Sequence, residues 1–236
     1  MYKNYIFDLY GTLIDIRTNE NKPYLWEKMA MIYSFKGANY NKKEIKQKYL
    51  ELCNKYVKKC KSDYPDIKIE YVFKDLFEYK GVKVSITTAI SVAQYFRVLS
   101  IKYIKLYDGV IELLETLKKN NKKIYLLSNA QQIYTEYEMK MVGIYDYFDG
   151  IIFSSDEECS KPDSNFYNTI LKRYNLDKKQ SIMIGNDYIT DIEGSHNVGI
   201  DSLYIHSNIS PEIKGTLFAK YKVMDGDVKK IISMII

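Results

Sequence analysis

Several short polar clusters in the sequence carry residue types that could do chemistry together. They provide a carboxylate that could act as a nucleophile, hydroxyl and amide donors, a cation and a pair of acids. This set suits transfer of a phosphoryl group through a covalent aspartyl intermediate, with Mg²⁺ holding the nucleophile and the phosphate together. The clusters are Asp8, Tyr10-Gly11-Thr12, Ser128-Asn129, Lys161, Asn186-Asp187 and Asp191.

The first cluster follows an apolar run, Tyr5-Ile6-Phe7, that ends abruptly in Asp8. That pattern predicts a buried parallel strand with one carboxylate at its C-terminal edge, followed by a loop that needs Gly11. Open α/β sheets have their active sites at such edges. We therefore expect the other clusters to meet Asp8 there.

From Tyr107 onwards, short apolar runs alternate with amphipathic helical patterns. This alternation predicts right-handed crossovers and an α/β fold with a doubly wound parallel sheet. No G-x-G-x-x-G follows any predicted strand, which argues against a dinucleotide cofactor. The predicted strands after the first are 123–127, 151–155, 181–184, 202–205 and 221–224, and the predicted helices are 110–119, 133–142, 164–174, 190–198 and 228–236.

The stretch from about residue 22 to residue 100 is helical in pattern throughout, with apolar residues three and four apart. Asn41 and Ser85 are predicted N-caps of two of its helices. We therefore predict a small all-helical domain over residues 17–101, inserted into an α/β core domain formed by residues 1–16 and 102–236. The predicted helices of this stretch are 24–35, 42–61, 69–79 and 87–101.

Composition and charge exclude several classes of function. The 236 residues are 46% hydrophobic with a net charge of +5, and only three are arginines, which argues against a nucleic-acid surface. No apolar run approaches the ~18 residues of a membrane span, and the first four residues lead straight into a strand without room for a signal peptide. Three cysteines without metal-site spacing indicate a reducing, cytoplasmic environment.

In these motifs the chain resembles the haloacid dehalogenase (HAD) superfamily of hydrolases, whose four motifs occur in order across nearly the full length. The resemblance implies a Rossmann-like core sheet and a helical cap that closes over the site. The matching segments are Asp8-Leu9-Tyr10-Gly11-Thr12-Leu13, Ser128-Asn129, Lys161-Pro162, and Gly185-Asn186-Asp187 through Asp191-Ile192.

By that resemblance Asp8 would be the nucleophile, and Lys161 would pair with it and neutralise charge on the phosphoryl group. Thr12, Ser128 and Asn129 would contact substrate oxygens. The implied Mg²⁺ ligands are Asp8, the carbonyl of Tyr10, Asp187 and Asp191, with Asn186 as a further candidate. The substrate would be a small phosphorylated metabolite, and the protein a monomer or homodimer without nucleic-acid or membrane partners.

One departure from the pattern is Tyr10, which stands where phosphatases of this superfamily usually carry the acid Asp that protonates the leaving alcohol. A phenol with a reference pKa of ~10 is a poor base at neutral pH. The L-2-haloacid dehalogenases have Tyr here, within a D-x-Y-G-T-L pattern like this one, and Tyr167 also fits their pattern. A metal-free 2-haloacid dehalogenase is therefore the alternative reading.

The second departure is Asn186, which occupies the position where a metal-binding Asp is commonest. Asp187 and Asp191 beside Asp8 would crowd carboxylates without a cation, which favours a metal site and the phosphatase. No arginine lies between Arg17 and Arg97, so the cap arginine expected of a dehalogenase has no clear match. Together Tyr10 and Asn186 leave a third alternative, a HAD-fold binding protein without catalysis.

Overall fold

A six-stranded parallel sheet forms the centre of the computed structural model, which describes residues 2–235. The strand order is β5-β4-β1-β6-β7-β8, and every neighbouring pair is parallel. The doubly wound α/β fold predicted from the alternating pattern is confirmed. The sheet strands are β1 Asn4–Phe7, β4 Lys123–Ser128, β5 Gly150–Phe153, β6 Ser181–Gly185, β7 Asp201–Ile205 and β8 Tyr221–Val223.

Both faces of the sheet are buried, as expected for parallel strands joined by helical crossovers. Along β1, Tyr5 and Phe7 pack into the core on one face, and Ile6 packs into the core on the other. Successive side chains of β1 thus enter the cores on opposite faces of the sheet. The strand itself lies inside the sheet, between β4 and β6. The flanking helices are α5 Val110–Lys119, α6 Gln132–Met141, α7 Ser154–Glu157, α8 Ser164–Arg173, α9 Gly194–Asn197 and α10 Lys229–Ile235.

Four helices lie between the first and second sheet strands and share a hydrophobic cluster of their own. Asn41 and Ser85 cap two of them, since their side chains accept hydrogen bonds from backbone N–H groups in the first turn. Both cap predictions are confirmed, whereas the division at residues 16–17 and 101–102 stays a prediction. These helices are α1 Pro23–Phe35, α2 Lys42–Val57, α3 Ile69–Tyr79 and α4 Ile86–Ser100.

The helices connect to the sheet through a two-stranded antiparallel ladder that the sequence reading did not predict. It pairs β2 (Ile14–Thr18) with β3 (Ile101–Leu106). Ile14 lies opposite Leu106, and Ile16 opposite Ile104. These four residues pack against the main core, so the ladder buries one face although its strands are short and mostly polar.

Further contacts join the helical stretch to the sheet domain on the side of α6. Ile133 of α6 belongs to the hydrophobic cluster of the four helices, and Gln94 of α4 donates a hydrogen bond to its carbonyl at 2.8 Å. In the α2–α3 loop, Asp66 accepts hydrogen bonds from Gln131 at 2.9 Å and from Ser154.

Several element boundaries differ from the predicted ones. The helix predicted over 42–61 ends at Val57, where the chain turns towards Pro65. The strand predicted over 151–155 ends at Phe153, because Ser154 and Ser155 begin α7 and accept hydrogen bonds from Ala130 and Gln132. The helix predicted over 190–198 begins earlier, as a π-helical turn over Tyr188–Glu193 that continues into α9. Ile236 of the last predicted helix lies outside the described residues.

Within residues 2–235, no helix is both long and apolar enough to cross a membrane. The three cysteines are free thiols.

Candidate active site

Asp8 lies directly after β1, between the ends of its two neighbours in the sheet. Phe7 pairs with Leu126 of β4 on one side and Ile184 of β6 on the other, and the Asp8 N–H donates to the Ile184 carbonyl at 2.9 Å. Parallel strands in register end at one edge, so the residues after β4 and β6 lie beside Asp8. The predicted convergence of the clusters is thus explained by the register of three strands.

The loop after Asp8 is a tight turn that depends on Gly11. Its φ of +89° lies in the region that side chains rarely adopt, and its N–H donates to the Ile14 carbonyl at 2.8 Å. A Cβ at this position would lie 2.4 Å from Nδ2 of Asn186. Gly11 therefore both closes the turn and lets Asn186 approach it.

Lys161 is fully buried and lies between two carboxylates of the site, those of Asp8 and Asp191. Its Nζ lies 2.7 Å from Oδ1 of Asp8 and 2.7 Å from Oδ1 of Asp191. Burial alone would lower the pKa of this ammonium, but the charges of Asp191 and Asp8 outweigh it and the pKa is raised. Lys161 is therefore a buried ammonium held between two carboxylates.

Asn129 holds the Lys161 loop in place. Its Oδ1 accepts the Lys161 N–H at 2.8 Å, and its Nδ2 donates to the Lys161 carbonyl at 3.0 Å. The side-chain amide is thus engaged by the Lys161 backbone, and a contact from Asn129 to substrate oxygens, through its backbone or its amide, stays a prediction.

The residues after β6 differ in how free their side chains are. Asp187 caps the π-helical turn through Oδ1, which accepts the N–H groups of Ile189 and Thr190. Asp191 is buried, and its Oδ2 accepts the Asp187 N–H at 3.0 Å. Burial and the nearby Asp8 raise the pKa of Asp191 despite Lys161.

Asn186 lies against the turn that follows Asp8. The Thr12 hydroxyl is 3.3 Å from its Oδ1 and 3.4 Å from Oδ2 of Asp8. Its Nδ2 is directed towards the hydroxyls of Ser207 and Ser210, at 3.5 and 3.3 Å. The amide oxygen of Asn186 is thus on the side of Asp8 and Thr12.

A cavity of about 220 Å³ opens at this edge of the sheet. Among residues 2–235, Ser128 Oγ is the one buried side-chain polar atom without a hydrogen-bond partner. A buried hydroxyl left unpaired at a cavity is a donor available to a ligand oxygen. The cavity is lined by Asp8, Tyr10, Ser128, Asn129, Lys161, Asn186, Asp187, Thr190, Asp191, Ile209 and Pro211.

Ile209 and Pro211, from the loop after β7, were missed in the sequence, where no motif marks them. They supply the apolar part of the lining.

Tyr10 lines the cavity, but its hydroxyl is hydrogen-bonded to residues outside the lining. It donates to a carboxylate oxygen of Glu138 and lies 3.0 Å from Thr135 Oγ1. Burial and the charge of Glu138 raise the pKa of the phenol well above its ordinary value. The sequence offered no sign of these partners, which lie on α6.

The groups around the cavity that could bind Mg²⁺ are oxygen atoms of several kinds, from carboxylates, an amide and the backbone. In the described part of the chain, no group of three or more His, Cys, Asp or Glu side chains is arranged to hold a metal by itself. Asp8, the amide oxygen of Asn186 and a backbone carbonyl would provide the hard oxygen donors that Mg²⁺ accepts. Three carboxyl groups and one ammonium line the cavity, so an anionic substrate would be better balanced with a divalent cation.

Comparison with known proteins is consistent with this geometry. The sequence model of the haloacid dehalogenase-like hydrolases matches residues 2–199. The chain is 28% identical over 98 residues to the pyrimidine 5'-nucleotidase PynA of Streptococcus pneumoniae, covering 41% of each. It is 26% identical over 94 residues to a glyceraldehyde 3-phosphate phosphatase of Methanothermobacter thermautotrophicus, covering 40% of this chain and 42% of the relative. The chain thus spans about two-fifths of the length of these curated relatives.

Among solved structures, the fold is similar to that of a 2-haloacid dehalogenase from Pseudomonas syringae pv. Tomato DC3000. The TM-score is 0.69 at 17% identity, and the match covers 99% of this chain and 97% of that one. At this identity the similarity concerns the fold alone.

Proposed function

The chain belongs to the haloacid dehalogenase-like hydrolases, and from this premise we propose that it hydrolyses a small phosphorylated metabolite through a phosphoryl group carried on Asp8. Two of the curated relatives are named as a pyrimidine 5'-nucleotidase and a glyceraldehyde 3-phosphate phosphatase, which supports phosphate esters as the substrate class. Mg²⁺ dependence, the helical cap as substrate cover and a cytoplasmic location are part of the same proposal.

One observation carries this proposal. A carboxylate at the end of a central strand lies 2.7 Å from a buried ammonium. Both line a cavity that Ser128, whose buried hydroxyl has no hydrogen-bond partner, lines as well. A nucleophile, a fixed cation and a free donor around one cavity are what transfer of an anionic phosphoryl group requires.

In the first step, a carboxylate oxygen of Asp8 attacks phosphorus, and the bond from phosphorus to the leaving oxygen breaks. Lys161 and the hydroxyls of Ser128 and Thr12 stabilise charge on the phosphoryl oxygens. In the second step, water attacks phosphorus and the bond to Asp8 breaks, which releases phosphate and restores the carboxylate. Bound Mg²⁺, held by Asp8, the Tyr10 carbonyl, Asp187 and Asp191, with Asn186 as a further candidate, would supply charge neutralisation between nucleophile and phosphate.

The test is turnover of acetyl phosphate and 4-nitrophenyl phosphate with and without Mg²⁺. We expect Mg²⁺-dependent release of phosphate and radiolabel trapped on the protein from a ³²P-labelled substrate. Asp8→Asn should abolish both, whereas Asp108→Asn, which changes an exposed carboxyl group outside the site, should abolish neither. Turnover that persists in EDTA would contradict the metal-dependent reaction.

The second candidate is a metal-free 2-haloacid dehalogenase, and the observation that favours it is Tyr10 within the Asp8-to-Leu13 segment. In that reaction Asp8 would displace halide from carbon. Chloride or bromide release from a 2-haloacid in the presence of chelator would establish it, and its complete absence would exclude it. If neither panel gives turnover, the non-catalytic binding protein becomes the remaining reading.

A further inference from the structure

Tyr10 stands two residues after the proposed nucleophile and is one of the residues that line the cavity. Its hydroxyl, however, is hydrogen-bonded to residues that do not line the cavity. It contacts Thr135 Oγ1 at 3.0 Å and the Glu138 carboxylate, both on α6. A phenol that donates to a carboxylate forms a charge-assisted hydrogen bond, which is stronger than one between neutral groups.

Arg97 of α4 reinforces this contact. Its Nε lies 2.5 Å from Oε1 of Glu138 and its Nη2 lies 3.1 Å from Oε2. The guanidinium also lies over the Tyr10 ring, 5.4 Å from the centroid. The side chains of Arg97 and Glu138 are only 12% and 6% exposed, so turning the phenol into the cavity would remove a donor from a buried carboxylate.

The other titratable side chains around the cavity are also engaged. Lys161 is shared by Asp8 and Asp191, and Asp187 caps the turn after β6. His196 and His206 do not line the cavity. Among the described residues that line the cavity, no side chain is placed as a proton donor free to protonate the leaving group.

We propose, on the basis of the phosphatase function above, that the leaving group departs without a proton from the protein, and that Glu138 is the positioning residue that holds the Tyr10 phenol out of the reaction. The preferred substrates are then acyl phosphates and phosphoanhydrides, whose leaving groups are stable anions. The bond from Asp8 oxygen to phosphorus forms, the bond from phosphorus to the leaving oxygen breaks, and that oxygen keeps the electron pair. No proton is transferred in this step.

The first experiment compares two pairs of substrates that differ mainly in the leaving group: acetyl against ethyl phosphate, and 4-nitrophenyl against 4-methylphenyl phosphate. General acids typically contribute about 10²–10⁴-fold. Without one, we expect kcat/KM to favour the better leaving group by at least about 100-fold in each pair. If the ratio is below about 10-fold while turnover is good, a proton donor is present and the inference fails. If acetyl phosphate itself is not hydrolysed, the proposed function fails instead.

The second experiment tests Tyr10 and Glu138 through the same ratios rather than through overall rates. Tyr10→Phe should leave both kcat/KM ratios within about two-fold of those of the unaltered protein, because the phenol takes no part in the reaction. A loss of kcat/KM of at least about 10-fold that is confined to the poorer leaving groups would overturn the inference. Glu138→Ala should release the phenol and lower the ratios, and adding Tyr10→Phe to it should restore them. If Glu138→Ala slows all four substrates equally, Glu138 has only a structural role and the positioning proposal is wrong.

Discussion

Replacing Lys161 by Met tests the electrostatic core of the site most directly. The change keeps a side chain of similar length but removes the ammonium that lies 2.7 Å from both Asp8 and Asp191. The two carboxylate oxygens are therefore no farther apart than twice that distance. Without the cation, two buried like charges face each other.

The magnitude follows from that separation. Two unit charges ~5 Å apart repel by about 3 kcal/mol at an effective dielectric constant of about 20. Removing one partner of a buried ion pair typically costs about 3–5 kcal/mol. We therefore expect Lys161→Met to lower the free energy of unfolding by about 3–5 kcal/mol at pH 8.

The loss should depend on pH with a definite sign. In the variant, repulsion and burial raise the folded-state pKa of one carboxyl above its unfolded value of about 4. The protein is then least destabilised at low pH, where that carboxyl binds a proton, and loses stability as pH rises through the folded-state pKa. Urea denaturation at pH 5 and pH 8 measures the difference.

Two further variants serve as controls. Lys74→Met breaks an exposed ion pair with Glu78 on α3, and should change stability by less than about 0.5 kcal/mol at either pH. Lys161→Met combined with Asp191→Asn removes the repulsion and should recover most of the stability without restoring activity. A loss in Lys161→Met that is below about 1 kcal/mol, or equal at pH 5 and pH 8, would refute the reasoning.

Two other predictions concern the contacts between the helical stretch and the sheet domain. Arg97→Met leaves the buried Glu138 carboxylate without its cation, so urea denaturation should show a loss of about 3–5 kcal/mol, and Arg97→Met combined with Glu138→Leu should recover most of it. Equal losses in the two variants would contradict this account. Burial raises the pKa of Asp66 despite its hydrogen bonds, so its contribution to stability is full below the unfolded pKa and is lost as pH rises through the folded one. Asp66→Asn should therefore gain stability relative to the unaltered protein between pH 4 and pH 7, and a difference that stays constant over this range would count against it.

The sequence by itself was sufficient to predict the strands of the parallel sheet and the clusters that lie near Asp8. Apolar runs that end in polar residues are local signals, and parallel strands in register must end at one edge. For that reason the positions of Asp8, Ser128, Lys161 and Asp191 around one cavity could be anticipated. The caps at Asn41 and Ser85 were equally readable, since a cap depends on residues within one helical turn.

The orientation of individual side chains was decided only by the tertiary structure. The Tyr10 hydroxyl binds residues more than a hundred positions away, the Asn129 amide is occupied by the Lys161 backbone, and Arg97 pairs with Glu138 across two elements. Such partners depend on how elements pack, and no local pattern encodes them. No local pattern predicted the ladder of β2 and β3 either, because these two short strands form only where two distant segments of the chain meet. The residue types set what chemistry was available, and packing determined which of those groups face the cavity.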